Sequence, residues 1–239
     1  MSDTWQLGGV TLASRLMLAL PEDADLTRLP QILRASGTEI VTARTDRVGP
    51  DDDDLLLGTL RDSAVHVLPN TEGAHDAAGA VQAALHGAEL VGRRWVKLII
   101  SDDPDHHVPK ADEILVAARE LVRLGFEVAP LIPDDPGLAQ ALADLGCAAV
   151  MPQGSPVGSG QGIANPLKFE IMIDRLDVPI IVGAGIGTAA DTVRALEIGC
   201  DGVASAKVVF GASDPVAAAR TLGDAVATGR RAHLHLAGS

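Results

Sequence analysis

Short aliphatic runs alternate along the chain with longer segments of helical periodicity. Eight runs read as strands: Leu16–Leu20, Glu39–Ala43, Ala64–Leu68, Trp95–Ile100, Glu127–Ile132, Ala148–Met151, Pro179–Val182 and Gly202–Ala206. Gly, Pro, Asp or Asn bounds each run, the usual punctuation of strands. Most are apolar almost throughout, as expected of parallel strands buried on both faces. Ala111–Leu124 is the cleanest helical pattern, with Ile114, Leu115, Ala118 and Leu121 on one stripe. Asp112 and Glu113 fall in its first turn, where negative charge suits the helix dipole.

A weak internal repeat supports the same architecture. RLGFEVAP, DLGCAAVMP and EIGCDGVAS each end a helical pattern in Gly and enter a strand. Gly is the residue expected just past a helix end. Eight such strand–helix units predict an α/β fold, a single (β/α)₈ (TIM) barrel. The 239 residues fit one barrel of about 250. An open, doubly wound sheet is the competitor, but no G-x-G-x-x-G follows the first strand, and the glycine loops come late. Residues 1–11 are expected to cap the barrel bottom as a hairpin or strand. Arg47–Asp54 and Ser101–Lys110 read as polar loops, and the tail Arg230–Ser239 is expected to fray.

Composition narrows the partners. The chain is 47% hydrophobic but only 2% aromatic, with no Tyr, so Ala, Val, Leu and Ile must build the core. A net charge of −13 disfavours nucleic acid. No apolar run is long enough to span a membrane. The N-terminus MSDTWQLGGV lacks the basic and apolar regions of a signal peptide, so a cytoplasmic location is expected. Cys147 and Cys200 sit at strand starts and form no disulfide framework, so both are expected to be structural. No metal-ligand spacing or cofactor motif is present, and the adjacent His106 and His107 read as part of a solvated loop.

The four lysines differ in setting. Lys97 lies inside the apolar run WVKLII. Burial disfavours an ammonium, so such a lysine either supplies a free amine for imine formation or is a snorkelling or paired structural group. Lys110 and Lys168 lie in or beside polar loops and are expected to be solvated. Lys207 follows the last strand and could meet a phosphate. Glycine-rich segments follow the late strands: Gly154–Gly162, Gly183–Thr188 and Ser205–Lys207 with Gly211 beyond. Such loops let backbone N–H groups approach an anion, although they are also common turns. Asn70 and Thr71 end the third strand, as pocket residues or as the cap of the next helix.

These residues resemble a known family. WVKL at Trp95–Leu98 resembles the WIKLE segment of thiazole synthases, LPNTEGA at Leu68–Ala74 their LPNTAGC, and ASGTEIVT at Ala35–Thr42 their ASGAEIVT. VMPQGSPVGSGQGI at Val150–Ile163 is similar to VMPLGAPIGSGQGI, and GAGIGTAADTVRALEIGCDGV at Gly183–Val203 to DAGIGTPSDAAAAMELGADAV. The resemblance implies a barrel, a homo-oligomer, and sulfur accepted from the C-terminal thiocarboxylate of a small ubiquitin-like sulfur carrier protein. It implies a Schiff base between Lys97 and a phosphorylated sugar. Gly185 and Gly187 then become phosphate contacts, with Gly158 and Gly160 more loosely, and Ala206 and Lys207 stand where the family has Asn-Thr.

The departures are as informative. The family's Glu two residues after the lysine is Ile99, and the Asp opening DAGIG is Gly183. In the family these two carboxylates move protons. Their loss points to a diverged carbon–sulfur bond-forming synthase, similar to 2-thiosugar synthases, acting on a hexose 6-phosphate. One alternative is an authentic thiazole synthase using 1-deoxy-D-xylulose 5-phosphate and dehydroglycine, with Glu72, His66 or Asp46 as substitute acid–base groups. The other is a non-catalytic sugar-phosphate-binding or carrier-docking module.

Overall fold

The computed structural model describes residues 3–44, 58–60 and 62–236. Trp5–Leu7 (β1) and Val10–Leu12 (β2) form an antiparallel hairpin with Trp5 opposite Leu12. Gly8 and Gly9 between them have φ of +53 and +73, as a two-residue hairpin turn requires. Leu7 and Leu12 pack with Met17, Ile40 and Trp95 near the strands' N-terminal ends. The hairpin thus covers the barrel bottom.

All eight expected strands are present: β3 (Leu16–Ala19), β4 (Ile40–Arg44), β5 (His66–Asn70), β6 (Trp95–Leu98), β7 (Glu127–Ile132), β8 (Met151–Pro152), β9 (Ile181–Val182) and β10 (Gly202–Ser205). They pair in parallel in the order β8-β7-β6-β5-β4-β3-β10-β9. Parallel bridges from Val150 to Ile180 and from Gln153 to Ala184 bring the two ends together. The result is a single-domain, nearly closed (β/α)₈ barrel. β5 starts two residues later than the aliphatic run suggests, because Ala64 holds φ +54 and cannot join a ladder.

The helices are α1 (Leu29–Ser36), α2 (Ala77–Val91), α3 (Ala111–Arg123), α4 (Pro136–Asp144), α5 (Pro166–Arg175), α6 (Ala189–Glu197), α7 (Lys207–Phe210) and α8 (Pro215–Leu236). The repeated glycines Gly125, Gly146 and Gly199 follow α3, α4 and α6 with φ of +79, +94 and +108. Cys147 and Cys200 come next and are buried in the core. Burial pushes the Cys147 thiol up to about 12 and the Cys200 thiol higher still, which leaves both protonated and unreactive.

Strand alternation divides the core in two. Leu16, Leu18, Val96, Leu98, Val128, Val182 and Val203 face the helical layer. Met17, Leu68, Trp95, Ala129, Leu131, Met151, Ile181 and Ala204 fill the barrel interior. Among the described residues the tail is helical to Leu236. Arg230 donates two hydrogen bonds of 2.9 Å to the Asp3 carboxylate, and Arg15 holds the same carboxylate from the barrel side. The His233 ring meets the Glu197 carbonyl at 3.1 Å. The polar loop Arg47–Asp54 lies outside the described residues.

Candidate active site

The two-residue period of a strand fixes what enters the barrel. Trp95 and Ile99 belong to the interior, so Lys97 between them points inward too. In register with Lys97 stand Asn70 on β5 and Ala129 on β7. Lys97 is 5% exposed, and among the described residues no carboxylate lies within ion-pairing distance of its Nζ. Burial lowers its pKa from 10.5 to about 8, and the charge of Glu72 opposes that shift. At pH 7 about a tenth of the amine is then unprotonated, several hundredfold more than for a solvated lysine.

A cavity of about 470 Å³ opens at the C-terminal ends of the strands, the end where barrel enzymes do their chemistry. Lys97, Asn70, Ile99 and Gly183 line it with Gly158, Gly160, Gly185, Gly187, Ala206 and Lys207. Thr71 does not line it. Its hydroxyl donates to the Ile99 carbonyl at 2.7 Å and accepts from the Ile99 N–H at 2.8 Å, tying β5 to β6 beyond Lys97. Neither Asn70 nor Thr71 caps α2: Asp76 does, accepting from Gly79 N–H at 2.7 Å. Lys110 and Lys168 lie outside the cavity and pair with Asp102 and Asp134, each at 3.0 Å.

The glycine loops interlock. The Gly162 N–H donates to the Gly185 carbonyl at 2.8 Å, and the Gly154 N–H to the Ala184 carbonyl at 3.0 Å. A Cβ at Gly185 would meet Ser155 N at 2.6 Å, and one at Gly187 would meet the Gly160 Cα at 2.6 Å. Glycine is therefore required here for two backbones to touch, whatever else the loops bind. The Gly187 N–H is already engaged by the Asp191 carboxylate at 3.1 Å, within the capping box of Thr188 and Asp191 that starts α6. Lys207 reaches back over the cavity, with Nζ 3.5 Å from the Gly158 carbonyl.

The departures from the family pattern have structural counterparts. Ile99 is 4% exposed and joins the apolar interior. At Gly183 a Cβ would meet Leu131 Cδ1 at 2.5 Å and the Met151 carbonyl at 2.7 Å, so no side chain fits. The acid–base candidates named from sequence scatter. His66 is exposed at the start of β5, edge-on to Trp95 and away from the cavity. Asp46 lies outside the described residues. Glu72 lines the cavity.

Two cavity residues escaped the sequence argument. His107, expected to be solvated, is only 17% exposed at its side chain and lines the cavity. Its φ of +47, unusual for a non-glycine residue, bends it inward out of an otherwise acidic loop. Ser205 is 4% exposed, and its Oγ finds no hydrogen-bond partner. That oxygen is also closed off from solvent, so it meets a ligand only after its side chain rotates toward the cavity. Its only sequence signal was its place at the end of a barrel strand.

Fold and site together define a (β/α)₈-barrel enzyme with one buried amine at its mouth. The chain belongs to the family described as thiazole biosynthesis protein ThiG, which matches residues 6–238. It is 42% identical over 224 residues to a thiazole synthase of Vibrio cholerae, covering 93% of this chain and 88% of that protein. It is 40% identical over 235 residues to a thiazole synthase of Sorangium cellulosum, covering 98% and 90%. Among solved structures it resembles the Amycolatopsis orientalis BexX/CysO complex, at TM-score 0.85 and 27% identity, covering 98% and 96% of the two chains. Thiamine phosphate pyrophosphorylase from Pyrococcus furiosus, at TM-score 0.63 and 14% identity, shares the fold alone. No helix among the described residues is long and apolar enough to cross a membrane.

Proposed function

We propose that this protein is a carbon–sulfur bond-forming synthase in which Lys97 condenses with a phosphorylated sugar. The observation that carries this is the buried, unpaired Lys97 amine on the wall of an open cavity. The amine attacks the open-chain carbonyl and water leaves, giving an imine. A proton shift then moves the carbonyl to the neighbouring carbon, and the sulfur of a carrier thiocarboxylate adds there. Lys207 and the interlocked loops at Gly158, Gly160 and Gly185 hold the phosphate beside Ala206, and Gly187, whose N–H is taken by Asp191, serves to let the loops touch. Asn70 and Ser205 are placed to bind sugar hydroxyls.

One observation supports a substrate other than that of thiazole formation, and another supports the partner. The interior positions that carry the family's carboxylates hold Ile99 and a sterically closed Gly183. The similar BexX structure is a complex with a second protein, CysO, which supports a sulfur-carrier partner for this chain. A 2-thiosugar synthase acting on a hexose 6-phosphate fits these features. The family resemblance also implies a homo-oligomer.

The 42% identity to a thiazole synthase favours a second reading, thiazole formation itself. Reconstitution separates the two. The protein is incubated with a thiocarboxylated carrier and either a hexose 6-phosphate or 1-deoxy-D-xylulose 5-phosphate with dehydroglycine. A thiosugar product from the hexose supports the first reading. A thiazole product, or rescue of a thiazole auxotroph, replaces it with the second.

A further inference from the structure

With Ile99 and Gly183 in the family's carboxylate positions, the interior face of the described strands offers no carboxylate to a substrate held by Lys97. Among the described residues, the carboxylates lining the cavity are Glu22 and Glu72. Glu22 is exposed, whereas Glu72 is half-buried. Glu72 follows directly on Asn70 and Thr71, the residues flush with Lys97, and the Thr71 N–H donates to the Lys97 carbonyl at 3.2 Å. The Glu72 N–H donates to the Asn70 side-chain oxygen at 3.1 Å, which sets the turn that aims residue 72 over the cavity.

Two nitrogen groups stand beside the Glu72 carboxylate, both beyond hydrogen-bonding distance. His107 Nε2 and Arg44 Nη1 each lie 3.8 Å from its Oε1. His107 is itself pinned. Its N–H donates to the Asp103 carbonyl at 3.1 Å, and its carbonyl accepts from the Gln153 side chain at 3.1 Å. A non-glycine residue held in the left-handed region by such contacts is the kind of local strain that gathers at working sites. In the ThiG-type motif this position is Ala, so Glu72 is a carboxylate this chain has where the family pattern has none.

We infer that Glu72 is the proton-transfer residue of this site, with His107 as its positioning residue, replacing the family carboxylates absent at Ile99 and Gly183. The inference rests on the Lys97 imine proposed above. Glu72 takes the proton from the carbon next to the iminium carbon. The C–H pair becomes the new C=C bond, and the C=N π pair moves to nitrogen, giving a neutral enamine and a protonated Glu72. Returning that proton to the former iminium carbon, while the hydroxyl on the neighbouring carbon becomes the new C=O and its proton passes to the now neutral nitrogen, completes the carbonyl shift with no redox change. Glu72 lines the same cavity as Lys97 and is not ion-paired to it.

The test is solvent exchange read on the trapped adduct. Native protein, Glu72→Gln and Glu72→Ala are each equilibrated with hexose and pentulose phosphates in heavy water, reduced with borohydride and examined by mass spectrometry of the Lys97 peptide. All three are expected to carry the adduct. Deuterium incorporation should fall about 10²–10⁴-fold in both variants, and added formate should restore it in Glu72→Ala only. Exchange at the native rate in adduct-bearing variants, or no rescue by formate, overturns the assignment to Glu72. Absence of any adduct on native protein instead removes the imine itself, and this inference with it.

Discussion

Leu131 occupies the space that a side chain at residue 183 would need: a Cβ there would lie 2.5 Å from Leu131 Cδ1. The interior has therefore closed over the position where the family pattern carries its Asp. Gly183→Asp is expected to destabilise the fold by about 1–3 kcal/mol, the usual cost of overpacking. Leu131→Ala in the same chain should recover only part of this, because the Met151 carbonyl would still be 2.7 Å from that Cβ. Urea midpoints of the two variants check both statements.

Lys97 links stability to pH. Its folded pKa of about 8 lies below the ordinary 10.5, because burial penalises the charged form. Between about pH 8 and 10.5 the unfolded chain holds a proton that the folded protein does not, so rising pH favours the fold across this window. Below pH 8 the full penalty applies, about 3 kcal/mol for that displacement. Lys97→Met should raise the urea midpoint at pH 7 and flatten the gain between pH 8 and 10.5.

Among the described residues, Lys207 is the exposed cation lining the cavity. If it meets the phosphate, Lys207→Ala should weaken binding of a sugar phosphate about tenfold, the scale of one charged hydrogen bond. Binding of the same sugar without phosphate should not change. Calorimetric titrations at low and moderate salt compare the two.

Asp3 joins the chain's two ends. The Arg230 guanidinium holds its carboxyl far below the ordinary carboxylate range; burial opposes this, and Arg15 adds to the lowering. A lowered carboxylate pKa stabilises the fold at neutral pH and loses that contribution as pH falls. Asp3→Asn should lower the melting temperature at pH 7, with the difference from native protein shrinking below about pH 4. Thermal melts across that range test it.

The barrel was legible because its strands are aliphatic on both faces and its helices end in glycine. The contacts of the tail were not legible, because Arg230 and His233 find their partners, Asp3 and Glu197, only in the folded molecule. Lys97 stood out as a charge within an apolar strand. His107 did not, since nothing local shows that its backbone turns inward or that Gln153 pins it. Glu72 was one acidic candidate among several until the Asn70 turn placed it over the cavity and His66 fell at the opposite end. Gly183 showed in sequence that a carboxylate was missing, and only packing shows that Leu131 has taken its place.

The central claim is a covalent bond at one lysine. Borohydride reduction of the protein with a hexose 6-phosphate, followed by peptide mass spectrometry, measures it directly. The account predicts a sugar-phosphate adduct on Lys97 that forms faster as pH rises toward about 8 and is absent in Lys97→Ala. An adduct on Lys207 or Lys110 instead, or none with any phosphorylated sugar, would contradict it.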